Sequence, residues 1–269
     1  MERKIGFIGI GEMGFPMANN LIESGYNLFV FDVNNEAMDG LAKLGATKCS
    51  SVKDIGESSD VIIIMVRTTS QVEDIFFREE GLLDSCSPGS CIIITSTISP
   101  TSAQKMARQA KEKEITEVDA PVSGGREGAE ARTLSMMVGG DKEDYEGVRP
   151  VLEKMGKNIF YMGTIGMGEV AKLANNLLLL IHMNAAYEAT ALVEMSGLDP
   201  DLFRDLIKVS TGGSWVVEHW EMVRAWKENY KPGETMDLIY KDFQLALGLA
   251  QDLKTPLHLG AVASQLGRY

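Results

Sequence analysis

The feature that most constrains the fold is a G-x-G-x-x-G pattern near the start of the chain, formed by Gly9, Gly11 and Gly14. A mostly apolar run, residues 5–10, leads into the pattern, and a helix-forming stretch, residues 16–22, follows it. Glycine permits the tight turn at the first position, close approach of a pyrophosphate at the second and close helix packing at the third. This context predicts a dinucleotide-binding turn, although the bare pattern also occurs in ordinary surface turns.

The second predicted strand, residues 26–31, ends at Asp32. A carboxylate at this position accepts hydrogen bonds from the adenine-ribose diol and repels a 2′-phosphate group. The residues that follow, Val33-Asn34-Asn35, supply no arginine to hold that phosphate. The sequence therefore predicts NAD as the cofactor. NADP stays open because Arg67 follows the predicted strand 60–66.

Charge and cysteine content limit the classes of partner and the cellular compartment that we expect for this protein. The formal net charge of -12 disfavours nucleic acids and anionic membranes as partners, since both attract basic surfaces. Cys49, Cys86 and Cys91 show neither metal-ligand nor disulfide spacing, so we expect no metal site and inert thiols in a reducing compartment. No leader precedes the first strand, and the longest apolar stretch, 177–181, is too short to cross a bilayer. We expect a cytoplasmic protein.

Apolar strand patterns alternate with helical patterns until about Gly163, and only helical patterns follow. Alternation of this kind predicts a doubly wound parallel sheet with helices on both faces. We therefore predict an α/β fold with an N-terminal doubly wound domain, residues 1–163, and an all-α C-terminal domain, residues 164–269. The later strands are expected at 60–66, 91–95, 115–120, 134–138 and 159–162, and the helices at 100–113, 169–196, 202–210, 215–227, 236–253 and 256–266.

A nicotinamide enzyme needs a group that donates and accepts a proton beside the hydride path. The three histidines, His182, His219 and His258, lie in helical stretches without evident partners. Lys172 fits better, because it follows the Gly166-Met167-Gly168 turn, and burial lowers the pKa of a lysine toward neutrality. Asn176 lies one helical turn further on. The alternative is that Lys172 is a solvated helix charge, as most lysines are.

Four segments together resemble the β-hydroxyacid dehydrogenase family, which includes 3-hydroxyisobutyrate dehydrogenase and tartronate semialdehyde reductase: residues 9–18, 119–125, 166–176 and 241–246. The resemblance implies that Lys172 is the catalytic acid–base and that Asn176 assists it. It also implies that Thr97 and Lys241 contact the cofactor, that a Rossmann-type domain binds it, and that the helical domain forms a homodimer or homotetramer. The residues expected to hold the substrate carboxylate are Ser123, Gly124 and Gly125.

These observations predict reversible oxidation of a short 3-hydroxy or ω-hydroxy carboxylic acid to its semialdehyde or ketone. Arg126 is predicted to recognise a second anionic group of the substrate, unless it is a solvated loop arginine. Two alternatives remain: an NADPH-consuming reductase of small aldehydes, of the glyoxylate or succinic semialdehyde type, and a dinucleotide sensor without turnover. The predicted cofactor contacts are Gly9, Ile10, Gly11, Glu12, Met13, Gly14, Asp32, Val66, Thr97 and Lys241.

Two positions depart from the family pattern. Val66-Arg67 stands where the family often has Leu-Pro, and Arg132 stands where a glycine is common. The sequence gives no physical reason for an arginine at position 132.

Overall fold

The computed structural model describes residues 3–266, which form two compact units. The first unit ends at Lys172 and the second begins at Leu173. All the strands found among the described residues belong to the first unit. The predicted fold class is confirmed, since a largely parallel sheet flanked by helices precedes a helical unit.

The strands of the first unit are short, and most of their side chains are buried. They are β1 Lys4–Ile8, β2 Asn27–Phe31, β3 Thr47–Lys48, β4 Val61–Ile64, β5 Cys91–Ile94, β6 Thr116–Asp119, β7 Val122–Ser123, β8 Leu134–Gly139 and β9 Gly156–Gly163. Its helices are α1 Gly14–Glu23, α2 Asn35–Lys43, α3 Val52–Ser58, α4 Thr69–Phe77, α5 Leu82–Ser85, α6 Pro100–Glu112, α7 Gly125–Glu130 and α8 Lys142–Leu152.

The sheet runs in the order β3-β2-β1-β4-β5-β6-β8-β7, with β9 paired to β8. The strands from β3 to β6 are parallel, as predicted, whereas β8 is antiparallel to both β6 and β7. One apolar layer packs on each face, with Phe7 and Val118 on one side and Ile62 and Ile92 on the other. Strands buried on both faces explain the continuous apolar runs of the sequence.

Two strands were not predicted, β3 and β7, because each has only two residues and no periodicity to detect. As a result Ser123 lies in β7, where it pairs with Ser135, and not in a loop directly after a longer strand. The other predicted strands of the first unit are present with ends shifted by a few residues.

The second unit is helical. Its elements are α9 Met167–Met195, which begins in the first unit, α10 Pro200–Lys208, α11 Trp215–Glu218, α12 Trp220–Glu228, α13 Thr235–Asp252 and α14 His258–Leu266. The single helix predicted over 215–227 is wrong, because the chain leaves helical geometry at His219 and starts again at Trp220. A small core around Trp220 and Phe243 joins these helices. Within residues 3–266, no helix combines the length and apolarity that a membrane span requires.

Candidate active site

The glycine turn between β1 and α1 has the geometry of a close-approach loop. A Cβ atom at Gly9, where φ is +94°, would lie 2.1 Å from the carbonyl oxygen of Met65. At Gly14 it would lie 1.9 Å from the carbonyl oxygen of Gly9. At exposed Gly11 it would meet no atom within 4 Å. The first and third positions thus need glycine for packing, whereas Gly11 leaves space beside the helix start for a phosphate group.

Asp32 is half-buried at the end of β2 and is bonded to the same turn. Its Oδ2 accepts a hydrogen bond from the N–H of Ile10 at 2.5 Å, and its Oδ1 accepts one from the N–H of Asn34 at 2.7 Å. A carboxylate has about four acceptor positions, so two ribose hydroxyls can still bind. The donors and the open turn therefore fit a dinucleotide.

The ends of β4 and β5 are joined by a side-chain hydrogen bond. The N–H of Val66 donates to Oγ of Ser96 at 2.8 Å, and half-buried Thr97 follows. Arg67 is exposed, and its backbone N–H donates to Oε1 of Gln71 at 3.0 Å. These loops, like the glycine turn, follow the carboxyl ends of parallel strands, where ligands of open α/β sheets bind.

The predicted carboxylate-binding segment runs from β7 into α7. Ser123 is half-buried, whereas Gly124, Gly125 and Arg126 are exposed. Gly124 has φ +134° and Gly125 has φ +65°, so the chain reverses sharply where α7 begins. The Nε atom of Arg126 donates to Oε1 of Glu130 at 2.8 Å. The two residues of this exposed ion pair lie one helical turn apart, and the guanidinium group of Arg126 is in contact with solvent.

The structure accounts for Arg132, which has φ +59°, a conformation that favours glycine. Its Nε donates to Oδ1 of buried Asn20 at 3.1 Å, and its guanidinium forms an ion pair with Glu23. Asn20 in turn donates from Nδ2 to the carbonyl oxygen of Ala129 at 2.7 Å. The arginine therefore joins the end of α7 to α1, which offsets the cost of its backbone conformation.

Lys172 lies in the first turns of α9 and is 8% exposed. The residues before it are tied to the sheet of the first unit. The N–H groups of Gly166 and Glu169 donate to the carboxylate of Asp119 at 2.7 and 2.8 Å. These bonds group the first turns of α9 with the first unit, so the compact unit extends beyond Gly163. The predicted domain limits, 1–163 and 164–269, stay a prediction.

In the second unit, Asn176 is buried and hydrogen-bonded on both sides of its amide. Its Nδ2 donates to Oδ2 of Asp242 at 2.6 Å, and its Oδ1 accepts from Nδ2 of Asn175 at 3.0 Å. Nζ of Lys241 lies 2.9 Å from Oδ1 of Asp242. The carboxylate of Asp242 therefore links Asn176, which is predicted to assist Lys172, with Lys241, which is predicted to contact the cofactor.

The remaining candidates for proton transfer are poorly placed. His182, His219 and His258 are exposed, and His219 stacks on Trp215 with ring centroids 4.2 Å apart. Burial raises the pKa of Cys49 to about 11, and it raises the pKa of Cys86 and of Cys91 to about 12. These thiols are protonated at neutral pH and unreactive. Between residues 3 and 266, no three His, Cys, Asp or Glu side chains cluster in a way that suits a metal ion.

Sequence reasoning missed the roles of Asp119 and Glu169. Asp119 was noted only as the first residue of a family segment, and Glu169 only as a helix residue. The available signal is the acidic residue at the end of an apolar strand, because a buried carboxylate needs donors and a helix start offers them.

Two family models match this chain, one over each part of its sequence. Residues 4–163 match the family model described as the NAD binding domain of 6-phosphogluconate dehydrogenase. Residues 166–269 match the model described as NAD-binding of NADP-dependent 3-hydroxyisobutyrate dehydrogenase.

Three similar proteins cover nearly the whole chain. An NAD-dependent L-serine dehydrogenase of Pseudomonas aeruginosa is 41% identical over 99% of this chain and 91% of its own length. A 3-hydroxyisobutyrate dehydrogenase of the same organism is 41% identical over 97% of this chain and 90% of its own. The solved structure of a Mycobacterium tuberculosis 3-hydroxyisobutyrate dehydrogenase with L-serine has a TM-score of 0.90 at 33% identity, covering 99% of this chain and 93% of that one.

Proposed function

The chain belongs to the β-hydroxyacid dehydrogenase family, and from that premise we propose that it oxidises a short 3-hydroxy carboxylic acid reversibly, with Lys172 as the acid–base. The family makes it an NAD(P)-dependent hydroxy acid dehydrogenase. The observation that carries the finer proposal is the burial of Lys172 at the start of α9, on a turn bonded to the strand that leads to Ser123. A buried amine on a fixed turn suits proton transfer better than a solvated charge does.

In the proposed reaction Lys172 accepts the hydroxyl proton during oxidation and returns it during reduction. When protonated, its ammonium group also stabilises the developing alkoxide. When bound, the nicotinamide ring supplies the hydride acceptor. Ser123 and the backbone of Gly124 and Gly125 are proposed to hold the substrate carboxylate. Asn176 is proposed to orient the substrate, and its bond to Asp242 fixes the plane of its amide.

Lys172→Ala tests this proposal. We expect kcat to fall about 10²–10⁴-fold, the usual effect of removing a positioned proton-transfer group, while the Kd of NADH changes less than about threefold. Lys113→Ala is the matched control, because Lys113 forms only an exposed ion pair with Asp84. Steady-state kinetics and calorimetric NADH titration supply the measurements. Turnover near the wild-type value in the Lys172 variant would remove this residue from the mechanism.

NAD is proposed as the preferred cofactor because a half-buried carboxylate stands at the end of β2, beside Val33 and Asn34. The contacts of Asp32 with the glycine turn hold its charge where a 2′-phosphate would bind. A preference of the unmodified protein for NADPH would contradict this proposal and favour the NADPH-consuming aldehyde reductase. Binding of NADH without turnover of any hydroxy acid or semialdehyde would favour the sensor.

Two relatives suggest substrates for the assay, 3-hydroxyisobutyrate and L-serine, both of which are short 3-hydroxy acids. We retain the proposal that Arg126 recognises a second anion. The ion pair with Glu130 is exposed and screened by solvent, so a substrate anion can replace Glu130 at small cost.

A substrate panel tests the role of Arg126. If Arg126 binds a second anion, Arg126→Ala lowers kcat/KM for a 3-hydroxy dicarboxylic acid about tenfold and leaves that for 3-hydroxyisobutyrate within about twofold. Arg149→Ala is the control, since Arg149 also forms an exposed ion pair with a residue one helical turn away, Glu153. Equal losses on both acids, or no loss on either, would show that Arg126 does not read a second charge.

A homodimer or homotetramer is also proposed, on the evidence of the second unit alone. The later part of α9 and the helix α10 expose large apolar side chains, among them Leu192, Met195, Leu202 and Leu206. Extensive exposed apolar surface is typical of a protein–protein interface.

A further inference from the structure

A buried acidic residue with no role in the proposed chemistry caps the start of α9. Asp119, at the end of β6, has no exposed surface. Its Oδ1 accepts a hydrogen bond from the N–H of Gly166, and its Oδ2 accepts one from the N–H of Glu169. The first N–H groups of a helix have no partner within the helix, so a side chain must satisfy them when they are buried. Here the capping side chain comes from a strand 47 residues earlier in the sequence.

The backbone packs closely around this carboxylate. A Cβ atom at Gly139 would lie 2.3 Å from Oδ1 of Asp119. A Cβ atom at Gly168 would lie 2.7 Å from its Oδ2 and 2.1 Å from the carbonyl oxygen of Met137. Two glycines, one on β8 and one in α9, therefore make room for a single carboxylate between the strand and the helix.

A second bond ties the same turn to the neighbouring strand. Oε2 of Glu169, which is also fully buried, accepts a hydrogen bond from the N–H of Ile98 at 3.1 Å. Ile98 follows Thr97 in the loop after β5. The first turn of α9 is therefore bonded to the ends of two adjacent strands, and Lys172 follows Glu169 by three residues.

We propose that Asp119 is a positioning residue for Lys172, because its carboxylate fixes the first turn of α9 against the end of β6. Ser123 lies four positions after Asp119, so the same strand end that leads to the substrate loop also orients the lysine. This inference rests on the proposed role of Lys172. Misplacement of a reacting group by about 1 Å costs on the order of 10²-fold in rate, which gives the capping bonds a catalytic consequence.

The surroundings of Asp119 bear on its charge. Burial raises the pKa of Asp119 to about 6, against the opposing effect of the backbone N–H donors. Glu117 lies on the same face of β6, and neither of its oxygens has a hydrogen-bond partner among residues 3–266. Burial, and then the charge of Asp119, raise the pKa of Glu117 well above its ordinary value.

The elements that pack around this face of β6 contribute a third acidic side chain, Glu169 of α9, whose N–H group binds Asp119. The neighbouring strands contribute Ile94 of β5 and Gly139 of β8 opposite Asp119. The helix α6 turns its apolar side chains inward and exposes its charged ones, Lys105, Arg108, Lys111 and Glu112. The cap is therefore ionised at pH 7.5 and becomes neutral as the pH falls through about 6.

The positioning role and a purely structural role predict opposite trends. A carboxyl group whose pKa is higher in the folded protein binds more protons there than when unfolded. Its contribution to stability therefore decreases as the pH rises from about 4 to about 6 and is constant above. Positioning through the ionised carboxylate predicts that turnover increases over the same interval. Activity and stability thus separate in the acid range.

Hydrogen exchange of the wild-type protein tests the capping device without any substrate. When the first turn of α9 opens and Asp119 stays buried, the carboxylate loses the N–H donors that lower its pKa, so protonation favours this local opening. After correction for intrinsic exchange, the protection of the Gly166 and Glu169 amides should therefore fall about tenfold between pH 7.5 and pH 5. The start of α4 is the internal control, because its cap uses Thr68 and Gln71, which do not titrate. Unchanged protection at Gly166 and Glu169, or an equal loss at α4, would overturn the inference.

Activity is best measured in the direction of reduction, with NADH and the semialdehyde of 3-hydroxyisobutyrate. In that direction Lys172 must be protonated, so its own titration cannot produce a loss of rate in acid. We expect kcat to fall as the pH drops through about 6. A rate that is flat from pH 5 to pH 7.5 would overturn the inference.

The variant Asp119→Asn completes the test. An asparagine keeps the shape but presents an N–H₂ group to one of the two backbone donors. We expect kcat to fall about 10- to 100-fold, with no decrease in acid and with the Kd of NADH within about twofold. Glu117→Gln, which changes a buried carboxyl group of the same strand face that forms no hydrogen bond within residues 3–266, should keep both the rate and the decrease in acid.

The outcomes separate the two proposals. A wild-type rate in Lys172→Ala contradicts the proposed function, whatever the other variants do. An inactive Lys172 variant, together with an Asp119→Asn variant that keeps kcat within about twofold, contradicts only the positioning role. If Asp119→Asn fails to fold, the hydrogen exchange of the wild-type protein decides the question.

Discussion

The two units of the chain bury their apolar side chains in different ways. In the first unit the sheet has a packed layer on each face, and strand residues such as Phe7 and Ile63 have no exposed surface. In the second unit one small core around Trp220 is surrounded by helices with exposed apolar side chains, such as Leu206 and Met195. The first unit thus buries its apolar side chains within itself, whereas the second leaves many of its large apolar side chains exposed.

Matched truncations in the two cores should have the largest effects and should affect NADH binding differently. Phe7→Ala and Trp220→Ala each remove a buried aromatic ring, with an expected loss of about 3–5 kcal/mol of unfolding free energy. Only the first should weaken NADH binding, because a Cβ at Gly14 would lie 3.2 Å from the Phe7 ring, which shows that this ring packs directly under the glycine turn. Denaturant unfolding and calorimetric NADH titration measure both effects. Equal weakening of NADH binding would show that the units do not act separately.

A charge placed on the exposed apolar surface of the second unit should weaken self-association, whereas the same change on the first unit should not. Leu206→Lys places an ammonium group in α10, where the leucine is 57% exposed. If this surface is covered in a homo-oligomer, the dissociation constant of the assembly should rise at least about tenfold. Leu44→Lys, at a 48% exposed leucine of the first unit, is the control and should leave the sedimentation profile unchanged. Identical sedimentation profiles for both variants would show that the surface around Leu206 is not part of the interface.

The smallest expected effect concerns cofactor choice, which we assign to the first unit alone. The double variant Asp32→Ala, Val33→Arg removes the repelling carboxylate and adds a cation at a side chain that is 93% exposed. The ratio of kcat/KM for NADP over NAD should rise about tenfold or more. Val33→Arg alone should shift the ratio less, because Asp32 remains. No shift in either variant would mean that the choice of cofactor is made elsewhere.

The sequence predicted best what depends on neighbouring residues. The glycine turn, Asp32 and the long helix α9 each have a local signal, in the spacing of glycines, an acid at a strand end and sustained helical periodicity. The capping of α9 by Asp119 could not be predicted, because its partners meet only after the sheet has formed. The break at His219 was missed for another reason, since the helical pattern continues across it and a change of backbone direction leaves no trace in periodicity.

For individual site residues, too, local sequence signals and contacts between distant residues must be distinguished. The place of Lys172 after a Gly-x-Gly turn singles it out in the sequence, and the structure shows that it is buried, while its role stays a prediction. Asn176 was paired with Lys172 from helical spacing, whereas its bond to Asp242 joins residues 66 positions apart. The tertiary partners that orient each group were therefore beyond the reach of the sequence.

The arginine at position 132 constrains which substitutions the chain can accept, and in what order. While Arg132 keeps a left-handed backbone, its hydrogen bond to buried Asn20 helps to hold it, so losing Asn20 first is costly, whereas the exposed ion pair with Glu23 contributes little. Once a glycine occupies position 132, the backbone is relaxed, and Asn20 keeps its bond to the carbonyl oxygen of Ala129 but no longer has to hold an arginine. A mutational path through this region therefore has a preferred direction, with position 132 changing before Asn20.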